Sequence, residues 1–339
     1  MNRKRGNRLL VFVDRYRIYL LLAAVFAVMS LVAPRFLNPL NLTIIMRSTC
    51  LDATVALGFT IVLICGQLDL SIGATLTLGA MLAIGLQPVL GWWGSFLAAV
   101  AAGAGVGLIN GLLVTRSRIS SFIATLGTLT IVKGVIYIYC HGSSVSATGD
   151  AALARADFLE RALVPLLTPR VLATAALVAL AQWYLTRTRP GRNFFLVGAN
   201  QETAWQSGVD PARYVTAAFV VSGVTAALGG ALFALSMCSA TPDLGDSSLM
   251  GVIAATIVGG TTMTGGRGSV LRSAVAVLAF AALFNGFNRL GYGSEIRVLV
   301  AGLVLALVVV HEAVAALRHD RTRGRRPVLM DELTKGSTT

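Results

Sequence analysis

The sequence predicts an all-α, polytopic membrane fold of about ten transmembrane helices, and three observations carry that prediction. Hydrophobic residues make up 55% of the 339 positions and charged residues only 13%, a balance unlike that of a soluble globular domain. Mean hydropathy is +0.76. Apolar runs near the roughly 20 residues needed to cross a hydrocarbon layer recur along the whole chain, separated by connectors too short for a soluble domain.

In chain order, residues 1–17 hold six Lys and Arg and read as a basic N-tail. The first apolar run, 18–33, ends in Val32-Ala33-Pro34-Arg35 and not in a small-x-small cleavage site; a second run follows at once, so it reads as a span and not as a removable signal. Spans two to five are expected at 43–65, 71–87, 94–114 and 122–140, and spans six to ten at 164–185, 214–236, 249–262, 270–287 and 296–317. The membrane domain thereby covers 18–317, and 318–339 read as a basic, disordered C-tail.

Charge predicts the orientation, because Lys and Arg concentrate in cytoplasmic loops. With an even number of spans both tails lie on one side, and placing them inside puts 20 of the 28 Lys and Arg in cytoplasmic segments. Topology selection and attraction to anionic lipid account for the net charge of +13. Basic and aromatic residues do not interleave on a surface, so no nucleic-acid partner is expected.

Several chemistries are excluded by spacing. No lysine follows the glycine that an ATP-binding P-loop requires; the three follow Arg3, Val132 and Thr334. His311-Glu312 lacks the second histidine of a zinc HExxH site, since Ala315 stands there. The four cysteines show no ligand spacing; Cys50 and Cys65 read as buried thiols, and a bridge between Cys140 and Cys238 is the minor alternative. No nucleophile and base pair suggests an intramembrane enzyme. Gly103, Gly107 and Gly111 repeat every four residues down one helix face, which lets a neighbouring helix approach closely.

Three groups of polar residues are expensive in a membrane and ask for a reason. At Gly66-Gln67-Leu68-Asp69-Leu70-Ser71 one span breaks and the next opens; Asp69 and Ser71 are either an ordinary helix cap or the lining of a polar path at a discontinuous helix. The stretch from Gly259 to Ser269, with Thr261, Thr262 and Arg267, follows a run of only 14 residues, about 21 Å of helix. Irregular backbone at that depth requires surrounding protein or a water-filled cavity, which favours a pore-side or gate-side element over a lipid-facing loop. Arg47 and Asp52 in span two and Lys133 in span five are single charges; the first two lie about 140° apart on their helix and need partners elsewhere, and Lys133 sits about 10 Å from the outer end of its span, near the limit of snorkelling. Asn110-Gly111, with Gly127 beyond it, is echoed at an offset of 175 by Asn285-Gly286, with Gly302 beyond it. These pairs fall in spans of opposite direction, the pattern of an inverted repeat of spans two to five and seven to ten. Asn110 and Asn285 join the candidate path residues.

The longest polar interruption is 187–213. There Pro190-Gly191 breaks the preceding helix, Asn200 is placed to cap a short helix over 201–207, and Gly208 stops it. Glu202 and Gln206 give that helix polar contacts, and Ala204 and Trp205 a small and a bulky apolar one. It is too short to stand alone in water and must rest on its own membrane domain or on a partner.

The segment Gly66-Gln67-Leu68-Asp69-Leu70-Ser71-Ile72-Gly73, the run over 107–134, the loop PGRNFFLVGANQETAWQSGV and the stretch IVGGTTMTGGRGSV together resemble the ribose-type monosaccharide permeases of bacterial ABC importers, over about 37–310. The resemblance implies the membrane-spanning subunit of an inner-membrane importer, paired with a second permease copy, two cytoplasmic ATPase domains that hold ATP and Mg, and a periplasmic sugar-binding protein. The chain itself would bind no cofactor and catalyse no covalent step. The loop would couple to the ATPase, with Asn200, Glu202, Ala204 and Gly208 on matching positions and Arg192 and Trp205 beside them. Two departures stand out: Gly66-Gln67-Leu68-Asp69 where the family commonly has Gly-Gly-Ile-Asp, and Trp205 where it has a small residue. The rival reading is a secondary sugar transporter driven by an ion gradient, suggested by Asp52, Asp69 and Lys133 in the membrane.

Overall fold

The computed structural model describes residues 2–163, 166–293 and, between 295 and 310, all but 297, 305, 308 and 309, with side chains from Tyr16 onward. Among these, twelve helices and one two-residue β ladder form. Helix α1 (Asn2–Val32) leads through a turn at Arg35 to α2 (Pro39–Ile64), opened by Asn38, whose side chain accepts the Leu40 N–H. Then come α3 (Ile72–Gly85), α4 (Gln87–Thr115), α5 (Ser121–Cys140), strand β1 (Val145–Ser146) and α6 (Asp150–Glu160). The second half holds α7 (Pro169–Arg187), α8 (Arg189–Ala199), α9 (Gln201–Gln206), α10 (Pro211–Met237), strand β2 (Ser239–Ala240), α11 (Leu244–Val258) and α12 (Val270–Arg289).

Among the described residues five helices, α2, α4, α5, α10 and α12, are long and apolar enough to span a membrane; α3, α11 and the 16–32 portion of α1 are shorter apolar helices. The chain is thus a polytopic, all-helical membrane protein. Helical residues continue after 295, but most of the expected span at 296–317 and the whole tail at 318–339 lie outside the described residues.

Two long helices, α2 and α10, form the buried centre. The order long, short, long occurs in α2, α3 and α4 with 26, 14 and 29 residues, and again in α10, α11 and α12 with 27, 15 and 20. Packing follows the same exchange: α10 lies on α4 as α2 lies on α12, α10 on α3 as α2 on α11, and α3 on α4 as α11 on α12. Small residues make these crossings close. A Cβ on Gly103 would lie 2.4 Å from the Gly223 carbonyl oxygen, and one on Gly107 2.2 Å from that of Phe219, so the glycine stripe of α4 is seated on α10. Gly245 at the start of α11 meets Gly73 at the start of α3 backbone to backbone; a Cβ there would fall 1.9 Å from the Gly73 oxygen.

Several boundaries depart from the hydrophobic runs; α4, for one, begins at Gln87 and not at 94. The sixth span begins at Pro169, because Thr168 accepts the Val171 N–H and caps it there. The eighth is shifted toward the N-terminus, to Leu244–Val258, since its first turn is polar and escapes an apolar count. The connector before α7 contains α6 and a ladder pairing Val145 with Ala240 and Ser146 with Ser239. Arg47 finds its partner there. Its Nε lies 2.7 Å from Glu160 at the end of α6, and Glu160 also binds Arg170 of α7 at 2.9 Å, so one carboxylate ties α2, α6 and α7 together.

Candidate functional site

At the first break, α2 ends at Cys65 and the chain reverses through Gly66, whose φ of +71° suits glycine. The N–H groups released by the break must be satisfied within the protein. The hydroxyls of α5 do this: Leu68 N–H donates to Ser121 Oγ at 3.2 Å and Leu70 N–H to Thr125 Oγ1 at 3.1 Å. Asp69 is buried, accepting the Ser71 N–H at 3.0 Å and hydroxyl at 2.6 Å on one oxygen, and the Ser222 hydroxyl of α10 at 2.8 Å on the other. Asn110 of α4 donates to Ser71 Oγ at 2.8 Å and accepts from Thr128 of α5 at 2.6 Å. Asp69, Ser71 and Asn110 therefore form one satisfied polar cluster that pins the discontinuity to three helices.

The second irregular stretch turns through Gly260, Gly265 and Gly266, all at positive φ. Thr262 N–H donates to the Arg267 carbonyl at 3.2 Å and its hydroxyl to the Gly265 carbonyl at 3.1 Å, which closes the loop on itself. Thr261 is buried, its hydroxyl 3.5 Å from Ser273, which accepts from Thr60 of α2 at 2.9 Å. Arg267 is exposed. Gly266 N–H donates to the Ile64 carbonyl at 2.9 Å, so this loop and the first break touch. Asn285 lies apart from them: it accepts from Asn41 at 2.8 Å, and Asn41 accepts from Arg289 at 2.7 Å.

The 187–213 segment is largely helical. Thr188 accepts the Gly191 N–H at 3.0 Å and opens α8 with Pro190 in its first turn, where a missing N–H costs nothing. Phe194 and Val197 are buried, and Phe194 meets Tyr214 of α10 edge-on at 5.1 Å. At the far end Gly198 is wedged into the junction just described; a Cβ there would lie 1.7 Å from the Ile64 oxygen and 2.7 Å from the Gly266 nitrogen. Asn200 accepts the Thr203 N–H at 2.9 Å and caps α9, Ala204 is buried beneath it, and Gly208 ends it at a φ of +79°. Trp205 is 63% exposed, and Glu202 and Arg192 also face outward. A cleft of about 690 Å³ opens between Trp205, Gln201, Gln67 and Arg118.

A further polar group was not foreseen from sequence. Lys133 of α5 donates to Asp246 of α11 at 2.5 Å, and Tyr137, one turn on, donates to Asp243 at 2.5 Å. The aspartates escaped notice because they precede the apolar run; its length of 14 residues was the available signal that the helix had to begin earlier, among them. All four cysteines are free thiols. Among the described residues no group of three or more His, Cys, Asp or Glu side chains could hold a metal ion.

A family profile described as branched-chain amino acid transport system / permease component matches residues 41–309. The chain is 33% identical over 292 residues to the ribose import permease protein RbsC of Bacillus subtilis, covering 83% of this chain and 87% of that protein. It is 29% identical to the D-allose transport system permease protein AlsC of Escherichia coli, covering 92% and 96%, and 29% identical to the galactose/methyl galactoside import permease protein MglC of Haemophilus influenzae, covering 91% and 97%. No solved structure matches the chain.

Proposed function

This chain belongs to the permease-component family of ABC importers, and on that premise we propose that it is the membrane-spanning subunit of a bacterial inner-membrane importer for a monosaccharide or a related small polyol. Members of the family are transport subunits and not enzymes. ATP hydrolysis falls to a separate cytoplasmic ATPase, which holds the ATP and Mg, and capture of the solute to a binding protein outside. A second permease copy completes the pore. Both tails are cytoplasmic, so that α8, α9 and the two glycine turns share the inner face.

The observation that carries this reading is the seating of the α8 end at Gly198 against both breaks in the membrane helices. A push on the exposed face of α9 is delivered through α8 to the end of α2 and to the 259–269 loop together, the two places where backbone is irregular. The repeated long, short, long order and its exchanged packing support an inverted repeat, and with it alternating access by rocking of the halves. The named solutes of the relatives, ribose, allose and galactose, support a monosaccharide as cargo.

The test is co-purification. An ATPase expressed with the chain is retained by the native protein and lost on Trp205→Glu or Glu202→Arg, with loss of ATP-dependent sugar uptake into vesicles. Retention of the ATPase in both variants overturns the coupling role, and sugar accumulation by the purified chain alone under a proton or sodium gradient establishes the rival.

A further inference from the structure

The Lys133–Asp246 pair is an unusual use of charge. Lys133 is the thirteenth residue of the 20-residue α5, about 18 Å from one end of the span and about 10 Å from the other. Asp246 lies in the first turn of α11, beside the Gly73 and Gly245 contact. Their side chains are 34% and 55% exposed. Thr130 and Tyr137 on α5, Asp243 just before α11 and Ser247 on it extend the same uncovered polar face, and the segment leading into α11 is irregular from Asp243 back to Thr241. A lysine about 10 Å from the end of its span is near the limit of snorkelling, its partner Asp246 has a shorter stem, and irregular backbone there lies against protein or water.

We propose that this face lines the solute path and that Lys133, Asp246, Tyr137 and Asp243 form a station in the outer part of that path for a neutral polyhydroxylated solute. The inference rests on the importer reading given above. The chemistry fits such a cargo. A solute diol donates a hydroxyl to Asp246 and accepts from Lys133 in place of their mutual bond, and a further hydroxyl exchanges with Tyr137 at Asp243. An exposed ion pair contributes little net stability, so the exchange is nearly neutral in free energy, as a passage site requires. The charges also nearly balance: two carboxylates face one ammonium and the positive N-terminal end of α11, which suits an uncharged cargo better than an ion.

The test uses the whole complex, with its ATPase and binding protein, reconstituted in vesicles and supplied with whichever of radiolabelled D-ribose, D-allose or D-galactose the native complex carries. Lys133→Met and Asp246→Asn each reduce the uptake rate at least about tenfold while leaving ATPase binding intact, and the charge-exchanged Lys133→Asp, Asp246→Lys double variant does not restore it. Independently of transport, Ser247→Cys in a chain whose four native cysteines are replaced reacts with a membrane-impermeant thiol reagent. An inert Ser247→Cys, native uptake in both single variants, or full rescue by the exchanged pair overturns the station. Absence of ATP-driven uptake in the native complex overturns the importer reading instead, and the thiol reaction still decides whether this face is wetted.

Discussion

Glu160 shows how one residue fastens three elements. Its carboxylate stands between Arg47 and Arg170, and Arg170, whose side chain is only 3% exposed, also donates to Ser236 of α10 at 2.6 Å. Removing one member of such a buried pair leaves an uncompensated charge at a cost of about 3–5 kcal/mol, whereas replacing the pair by apolar residues is often neutral. Glu160→Gln is therefore expected to lower the midpoint of thermal unfolding in detergent, and replacement of the whole triad, Arg47→Leu, Glu160→Leu and Arg170→Leu, to recover most of that loss. Equal loss in both variants would show that the carboxylate acts through packing and not through charge. The sequence exposed the need for a partner to Arg47, since a lone guanidinium in an apolar run demands one. Glu160 stayed hidden because it is 113 residues away and on a helix that no hydrophobic run announces.

At the scale of elements, α9 was legible in advance. An Asn200 cap, two polar residues in the first turn and a terminating Gly208 are local signals, and local signals survive in sequence. Its neighbour α8 was not, because the Pro190-Gly191 pair that breaks α7 also begins a new helix, and only tertiary burial of Phe194 and Val197 distinguishes a helix start from a loop there. The polar break at Asp69 was legible, but its partners Ser222 and Asn110 were not, because they come from distant parts of the chain. Because Gly198 lies against two backbones, the expectation for Gly198→Val is specific. The ATPase stays bound through α9, while ATP-driven uptake falls at least about tenfold as the end of α8 is pushed off the junction. Parallel measurement of co-purification and vesicle uptake checks it; unchanged uptake would remove α8 from the transmission.

For the whole molecule, the membrane class and the approximate placement of most spans followed from composition and run length, quantities that the bilayer itself dictates. The pairing of helices did not, apart from the glycine stripe of α4, because apolar faces in a membrane carry little information about which neighbour they meet. Orientation gives a direct prediction. In a chain without its native cysteines, Ser143→Cys, beyond the end of α5, reacts with an impermeant thiol reagent in intact cells, and Ser207→Cys, after α9, reacts only once the membrane is opened. The reverse pattern would invert the topology and place the coupling helix on the wrong side for an ATPase.

The two faces of the protein are held together by different means. One is buttoned: the Glu160 ties and the β1–β2 ladder join distant strands of the chain by charge and by paired backbone. The other meets at Gly66, Gly198, Gly265 and Gly266, where backbone lies directly against backbone and the Gly266 N–H bonds the Ile64 carbonyl. Glycine at that junction leaves no side chain between the two backbones, so any added Cβ must displace one of them.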